Sequence, residues 1–399
     1  MNSWQGFPLN LRDGGRLTHA FTGACAAGHT QDVQELLALD GHHAINVNRF
    51  DDEPFRKACR HGHTDIVALL LALQGNRRVN VHARDEAAFQ EVCAGGHVDL
   101  LHLLLALRGD RYIDVHSREE SAFRWACRGG RVRIVSALLA LTGERTIDVH
   151  ANDEEGFRWA CGLGVTQMVR ELLALTGERA IDVHADNEGG FRWACGHGHI
   201  DVVRELLALT GQRAVDVHAD NEDGFRKACS EGNLEVVREL LALTGRRTIN
   251  VHSDRDAAFA LACYNMHVNV AKEFLALRGA RTIFPNALND HVFKAVCTLK
   301  NRLSKAELSM LRLLVSLPAS RAPAQWTQQR YEHVLMQCVH WWTETVHACR
   351  DWTANGLCYA SLYPELRQRV QQKYTALLYN RRVRLLRLRT QGVLSRATV

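Results

Sequence analysis

A phenylalanine recurs every 34 residues along this chain, and a cysteine follows each one four residues later. The phenylalanines are Phe21, Phe55, Phe89, Phe123, Phe157, Phe191, Phe225, Phe259 and Phe293, and the cysteines are Cys25, Cys59, Cys93, Cys127, Cys161, Cys195, Cys229, Cys263 and Cys297. A fixed period of about 20–50 residues is typical of a solenoid, because each unit has an apolar face that only its neighbours can cover. The sequence therefore predicts nine stacked repeats.

The residues within each repeat predict two short helices. In the sixth repeat, the apolar residues of 191–195 are spaced three and four apart, which places them on one helical face. The apolar residues of 200–207 form a second stripe at helical spacing. Apolar and polar residues alternate at 214–218, which predicts an extended connector or a short strand. The polar residues 220–224 predict a turn before the next helix.

The middle of each repeat resembles the ankyrin repeat. Residues 194–207 read Ala-Cys-x-x-Gly-His-x-x-Val-Val-x-x-Leu-Leu, which is similar to the family's Ala-Ala-x-x-Gly-His-x-x-Ile-Val-x-Leu-Leu. The likeness covers roughly residues 15–318. The family's Thr-Pro-Leu-His opening is replaced by Gly-Phe-Arg-Trp or Ala-Phe-Gln-Glu, and the connecting loops differ in length. The resemblance implies an all-α, ankyrin-type helical repeat solenoid, and these departures argue against the family's projecting β-hairpins.

Three segments follow from the extent of the repeats. Residues 1–20 are predicted as an irregular lead-in, residues 21–318 as nine ankyrin-like repeats, and residues 319–399 as a basic helical C-terminal region. This last region holds 12 basic and 4 acidic residues, whereas the remainder of the chain is slightly acidic. Helices are predicted at 325–349 and 362–390, so the charge asymmetry is local to this region.

The composition predicts a protein of a reducing, cytoplasm-like compartment. The sequence contains no run of about 18 apolar residues, so no membrane span is predicted. The first 23 residues lack the basic start and apolar stretch of a secretory signal. Cysteines in neighbouring repeats are expected at a helix-packing distance of about 8–10 Å, whereas a disulfide needs Cα atoms within about 7 Å. The repeat cysteines are therefore interpreted as small buried hydrophobic residues.

Histidine and arginine also recur with the repeat period. The histidine ladder is His82, His116, His150, His184, His218 and His252, and the arginine ladder is Arg77, Arg111, Arg145, Arg179, Arg213, Arg247 and Arg281, with aspartates nearby at Asp114, Asp148, Asp182 and Asp216. Metal ligands must converge to about 2 Å from one ion, so the histidines are interpreted as structural hydrogen-bonding positions. The arginines and aspartates are predicted to form a solvated, mutually neutralising edge, and nucleic-acid binding is not expected.

Two features of the C-terminal region leave alternatives open. His333, His340 and His347 share one helix face, and their spacing of about 10 Å along the axis favours packing against the last repeat over a metal site. The segment 379–389 places five arginines around four apolar residues and is interpreted as a helix docked on its neighbour. Membrane-surface binding and insertion into a partner's groove are the alternatives for this segment.

The positions that vary most between repeats directly follow the core phenylalanine. In repeats four to seven they hold Arg124, Trp125, Arg158, Trp159, Arg192, Trp193, Arg226 and Lys227. In the ankyrin family the corresponding first-helix face lines the concave surface that grips partners, so the resemblance implies a partner-binding site at these eight residues. Tryptophan and arginine are also favoured at interaction hot spots. The alternative is that the tryptophans fill gaps between repeats and the arginines cover them.

The sequence contains no catalytic motif: no Walker loop, no G-x-S-x-G, no H-E-x-x-H and no G-x-G-x-x-G after a strand. The prediction is a non-enzymatic, cofactor-free, monomeric scaffold or adaptor that binds a partner protein in the cytoplasm. Ankyrin-like arrays also occur in host-directed effectors, for which the host cytoplasm is the place of action. Two alternatives stay open: an array that recruits substrates to a catalytic C-terminal region, and a membrane-surface adaptor anchored by the basic C-terminal helix.

Overall fold

The computed structural model describes residues 14–40, 44–283, 310 and 313. These residues form sixteen α-helices, with short 3₁₀ turns and no β-strand, so the predicted all-α helical repeat solenoid is confirmed. None of these helices is long and apolar enough to cross a membrane. Apart from residues 310 and 313, the ninth repeat lies outside the described residues, as do the helices predicted at 325–349 and 362–390 and the basic segment 379–389.

Each described repeat contributes two helices and most end in a 3₁₀ turn. The first helices are α1 (Gly14–Ala27), α3 (Arg49–His61), α5 (Ala83–Gly95), α7 (Ser117–Arg128), α9 (Ala151–Gly162), α11 (Ala185–His197), α13 (Ala219–Glu231) and α15 (Ser253–Tyr264). The second helices are α2 (Thr30–Leu37), α4 (Thr64–Leu71), α6 (Val98–Leu105), α8 (Val132–Leu139), α10 (Thr166–Leu173), α12 (Ile200–Leu207), α14 (Leu234–Leu241) and α16 (Val268–Ala276). The 3₁₀ turns are Gly75–Arg77, Gly109–Arg111, Gly143–Arg145, Gly177–Arg179, Gly211–Arg213, Gly245–Arg247 and Gly279–Arg281.

The chain divides into two compact units, residues 1–224 and 225–399. In the first unit the first helices pack in sequence, α1 on α3 and onward to α9 on α11, and the second helices pack likewise from α2 on α4 to α10 on α12. In the second unit α16 packs against both α14 and α15. In the alternating segment 214–218, residues 214–216 lie in no helix or strand, Ala214 has an extended backbone and residues 217–218 form a turn, so the predicted connector is observed and the strand is not.

The first helix starts earlier than predicted. Helix α1 begins at Gly14, seven residues before the repeat boundary placed at residue 21, and Leu17 and Thr18 on it are buried. The expected irregular lead-in therefore extends no further than residue 13. The later first helices likewise begin six residues before their phenylalanine, as α11 does at Ala185, because the polar turn that precedes each phenylalanine lies within the bounds of the helix.

The core of each repeat is built on the periodic phenylalanine, whose ring is covered by the next repeat. Phe157 and Phe191 are each 2% exposed. A Cβ added to Gly190 would lie 3.0 Å from Cε1 of Phe157, and one added to Gly224 would lie 3.2 Å from Cε1 of Phe191. The glycines that precede these phenylalanines therefore let the backbone of one repeat pack directly on the ring of the previous one.

The polar turn before each first helix has an unexpected handedness. From α3 to α15, three consecutive residues at the start of the first helix have φ between 47° and 63°. In the sixth and seventh repeats these left-handed turns are Asp186–Glu188 and Asp220–Glu222. Left-handed backbone costs roughly 1–2 kcal/mol per residue for most L-amino acids and less for Asn and Asp. Seven such turns therefore need stabilising contacts from elsewhere in the fold.

The eight described repeat cysteines are buried, and no disulfide joins them. Burial raises the pKa of the Cys25 thiol to about 12 and also raises that of Cys59 and Cys195. We expect reduction to leave the melting temperature nearly unchanged, because no disulfide joins the described repeats. Thermal melts with and without reductant check this, and a disulfide between successive repeats in mass mapping would contradict it.

Candidate functional site

The arginines predicted in the binding site hold the left-handed turns of their own repeats. Arg124 donates from Nε to the Glu119 carbonyl at 2.7 Å and from Nη2 to the Arg118 carbonyl at 2.9 Å. Arg158 donates from Nη2 to the Asn152 carbonyl at 2.9 Å. Hydrogen bonds from charged donors are stronger than neutral ones, so these contacts offset part of the cost of the strained backbone.

The same arginines also tie each repeat to the next. Each ion pair joins a guanidinium group to a carboxylate at the start of the following first helix: Arg124 with Glu155, Arg158 with Asp186 at 2.8 Å, Arg192 with Asp223 at 3.1 Å and, in the second unit, Arg226 with Asp254 at 3.2 Å. Their side chains are only 15–20% exposed. The main contacts of these arginines thus lie inside the protein, although the sequence predicts them as polar contacts for a partner.

The three tryptophans follow one another along the first-helix face, and Arg128 lies between the first two of them. The Arg128 guanidinium carbon lies 4.9 Å from the ring centroid of Trp125 and 4.6 Å from that of Trp159. Trp159 and Trp193 meet edge to face, with centroids 5.0 Å apart and an interplanar angle of 80°. We call Trp125, Arg128, Trp159 and Trp193 the tryptophan–arginine row.

Exposure differs along the row. Trp125 is 45% exposed, whereas Trp159 and Trp193 are half-buried. Leu163, at the end of α9, adds another apolar side chain that is 41% exposed. Both alternatives weighed from the sequence thus have a counterpart in the fold, since Trp159 and Trp193 pack between repeats while Trp125 faces solvent.

A single substitution between repeats shapes the row. Gly162 occupies in the fifth repeat the position that Arg128 occupies in the fourth. A Cβ at Gly162 would lie only 2.7 Å from Cε3 of Trp193. The glycine therefore makes room for Trp193 to pack against α9. In the fourth repeat, the Arg128 side chain occupies the equivalent position and lies between Trp125 and Trp159.

Glu155 anchors the middle of the row. It accepts hydrogen bonds from Trp159 Nε1 at 3.1 Å, from Asn152 Nδ2 at 3.1 Å and from Arg124. Although partial burial acts to raise it, the pKa of Glu155 is lowered by these three hydrogen bonds. The charged carboxylate fixes the indole of Trp159, which is consequently held in one orientation.

Lys227 occupies in the seventh repeat the position that Trp193 occupies in the sixth, and it belongs to the second unit. It is half-buried, as is Arg226 beside it. The run of tryptophans at this repeat position therefore ends with the sixth repeat, inside the first unit.

The histidine ladder links successive repeats and forms no metal site. In the first four members, Nδ1 lies 2.5–2.7 Å from a carboxylate oxygen four residues later, and Nε2 lies 2.7–2.9 Å from a backbone carbonyl of the following 3₁₀ turn. Among the described residues, no cluster of His, Cys, Asp and Glu could hold a metal ion. The structural interpretation of these histidines is confirmed.

The ladder carboxylate serves two partners at once. Glu154, which is 3% exposed, accepts from His150 at 2.7 Å and from the backbone N–H of Asp182 in the next repeat at 2.9 Å. A carbonyl oxygen can only accept, so His150 Nε2 carries a proton toward Glu178. The contact between His150 Nδ1 and Glu154 Oε1 joins two atoms that otherwise both accept, so a second proton must lie between them. We call this histidine and glutamate a proton-holding pair.

Six members of the arginine ladder are half-buried and bond backbone carbonyls, so their predicted solvated pairing with aspartates is wrong. Each of these six guanidinium groups donates at 2.8–3.2 Å to a leucine carbonyl at the end of the second helix one repeat earlier: Arg77 to Leu37, Arg111 to Leu71, Arg145 to Leu105, Arg179 to Leu139, Arg213 to Leu173 and Arg281 to Leu241. Burial lowers the pKa of Arg111 and Arg281. The aspartates instead accept from the backbone N–H two residues later, as Asp148 does from His150 at 3.0 Å.

The proton-holding pairs predict that stability falls as the pH rises. Hydrogen bonds to the ladder glutamates raise the pKa of His116, His150 and His184. The folded protein therefore holds these protons more tightly than the unfolded chain does. The resulting stabilisation is complete below the ordinary histidine pKa of about 6.5 and is lost as the pH rises through the raised values.

Urea unfolding at about pH 6 and about pH 9 measures this effect. The expected midpoint is lower at the higher pH, and a His150→Gln variant should show a smaller difference between the two. A midpoint that stays constant or rises with pH would contradict the proton-holding interpretation.

Comparison with known proteins identifies no relative of this chain. No model of a protein family matches the chain, and no curated protein is significantly similar to it.

Proposed function

We propose that this protein is an ankyrin-type scaffold that binds a partner protein on the first-helix face of repeats four to six. The observation that carries the proposal is the tryptophan–arginine row, in which three tryptophans and one arginine stand in register on α7, α9 and α11. Tryptophan and arginine dominate the binding energy of many protein interfaces. Trp125 would be the anchor, because it combines a large apolar surface with exposure in the unbound protein.

The linkage between repeats supports this role. Side chains reach backbone carbonyls 28, 37 or 40 residues away, as His150 does at Glu178, His199 at Gly162 and Arg145 at Leu105. Such bonds hold neighbouring repeats in a fixed relation. A binding surface carried by fixed elements loses little conformational entropy when a partner docks, which favours affinity.

The opposite, second-helix surface is a weaker candidate. Its exposed charges pair with one another across repeats, as Arg170 does with Glu205 at 2.6 Å and Arg238 with Glu273 at 2.8 Å. Exposed ion pairs of this kind contribute little binding energy. The large exposed aromatic of repeats four to six, Trp125, lies on the first-helix side instead.

The other functions considered from the sequence depend on residues 319–399. A catalytic C-terminal region and a membrane anchor at 379–389 both lie outside the described residues, so no contact of the fold favours either one. The buried thiols fit a protein that works in a reducing compartment, and we expect it to act in the cytoplasm.

Capture of a partner on the full-length chain, followed by hydrogen-exchange mass spectrometry of the complex, tests the proposal. Binding at the row should slow exchange at the exposed ends of α7, α9 and α11 more than in α8, α10 and α12. Protection confined to the second helices, or to residues 319–399, would overturn the proposed site.

A further inference from the structure

We infer that Arg128 is a receptor for a carboxylate, and that the partner presents an acidic side chain flanked by apolar residues. The inference rests on the proposed function, because it names the chemistry that the tryptophan–arginine row recognises. Arg128 differs in its contacts from the neighbouring arginines, although all of them carry the same charge.

The guanidinium of Arg128 is positioned by aromatic rings rather than by an acid. It lies over Trp125 at 4.9 Å and over Trp159 at 4.6 Å. By contrast, Arg124, Arg158 and Arg192 each pair with a carboxylate of the protein. In the part of the chain that the structure describes, the Arg128 guanidinium has no hydrogen bond or ion pair, and the side chain is exposed.

Placement over ring faces leaves the donors of a guanidinium group available. Arginine carries five N–H donors in a planar fork, and that fork matches a carboxylate through two parallel hydrogen bonds. The two indoles restrict where the Arg128 group can move, so less side-chain entropy is lost when a carboxylate binds. The row therefore presents one oriented cationic fork on an aromatic surface.

The charge of the surroundings favours an acidic occupant. The carboxylates at the start of the next two first helices are already engaged, Glu155 by Arg124 and Asp186 by Arg158. Arg128 is thus the cation of the row that no acid of the described chain neutralises. A basic partner segment would meet like charge there, whereas an acidic one would gain a charge-assisted hydrogen bond.

Apolar surface beside the arginine defines what flanks the acid. Trp125 is 45% exposed on one side of Arg128, and Leu163 is 41% exposed one repeat further on. An acidic residue set between bulky apolar side chains fits such a surface, because the apolar side chains exclude water from the charged contact. A chain of acidic residues alone would leave Trp125 uncovered.

Selection from a displayed library of random 12-residue peptides on the full-length protein tests the inference. The peptides that bind should share Asp or Glu beside Leu, Phe or Trp. Replacing that acid with Gln or Asn, or changing Arg128→Gln, should weaken binding at least about 10-fold, and the two changes together should weaken it no further. Arg128→Lys should recover part of the affinity, because it restores the charge without the fork.

Arg133→Gln is the matched control, since Arg133 is exposed on α8 and the substitution removes the same charge. It should leave peptide binding within about 2-fold. If Arg133→Gln weakens binding as much as Arg128→Gln does, the effect is general electrostatic attraction and the receptor assignment is wrong. A phosphoserine form of the selected peptide that binds more than about 10-fold tighter than the acidic form would also overturn it, in favour of a phosphopeptide.

The outcomes separate this inference from the proposed function. Selected peptides without an acid, which lose binding on Trp125→Ala but keep it on Arg128→Gln, would overturn the carboxylate receptor and leave the proposed site intact. Failure to select any peptide, or selection of peptides that ignore Trp125→Ala, would overturn both.

Discussion

Replacing Phe191 with alanine is expected to lower the free energy of unfolding by about 3–5 kcal/mol. The ring is 2% exposed, and the backbone of Gly224 in the next repeat packs against it so closely that an added Cβ would lie 3.2 Å from Cε1. Removing the ring leaves a cavity between two repeats, and neither can collapse onto the other without shifting its own helices. Urea unfolding followed by circular dichroism measures the loss.

Cys195→Ala in the same repeat is the matched control. Cys195 is also fully buried, but the substitution removes only one sulfur atom, so we expect a cost under about 1.5 kcal/mol. Equal losses for the two variants would mean that the phenylalanine is not the main packing element. A loss below about 1 kcal/mol for Phe191→Ala would mean that neighbouring repeats do not depend on each other's cores.

Glu154→Ala is expected to cost about 1–3 kcal/mol, although it removes no part of the hydrophobic core. The change takes away the acceptor of the Asp182 backbone N–H and of His150 Nδ1, and so breaks the link between the fifth and sixth repeats. A buried N–H without a partner carries its full desolvation cost. Urea unfolding measures this loss as well, and the pH dependence of stability should become shallower in the same variant.

Glu178→Ala provides the comparison for this prediction. Glu178 is exposed in the 3₁₀ turn of the same repeat, and only its backbone carbonyl takes part in the ladder. Its removal should change stability by no more than about 0.5 kcal/mol. If Glu154→Ala is as mild as Glu178→Ala, the ladder hydrogen bonds do not stabilise the array.

Much of the fold can be predicted from the sequence because the packing is periodic. The spacing of Phe191, Cys195 and the leucines of 200–207 predicts two helices and their buried faces, and the structure contains both. The 34-residue period predicts that neighbouring repeats cover these faces, which the packing of α9 on α11 confirms. Such features follow from local spacing, which a sequence shows directly.

The left-handed turns could not be predicted in the same way. Residues such as Asp186, Asn187 and Glu188 are common in many kinds of turn, and a charged triplet does not by itself predict three positive φ values. In several of these turns an arginine five or six residues later bonds a turn carbonyl, as in the bond from Arg158 to the Asn152 carbonyl. The partners of the arginine ladder lie 40 residues away, which no local pattern indicates.

The candidate site was partly predictable. The register of Trp125, Trp159 and Trp193 is visible in the sequence, and the structure shows that they occur together on one face. The role of Arg128 was missed, although its position three residues after Trp125 places both on the same side of α7. Gly162 was missed because its effect depends on the close approach of Trp193, which only the packed helices reveal.

The most direct test of the account is to measure partner affinity and thermal stability together for Trp125→Ala. Trp125 is better suited than Trp159, because Trp159 also bonds Glu155 and packs on Trp193, so its loss would disturb the fold as well. Trp125→Ala should weaken binding at least about 30-fold, which is about 2 kcal/mol, while the melting temperature stays within a few degrees. Undiminished binding by a stable Trp125→Ala variant would contradict it.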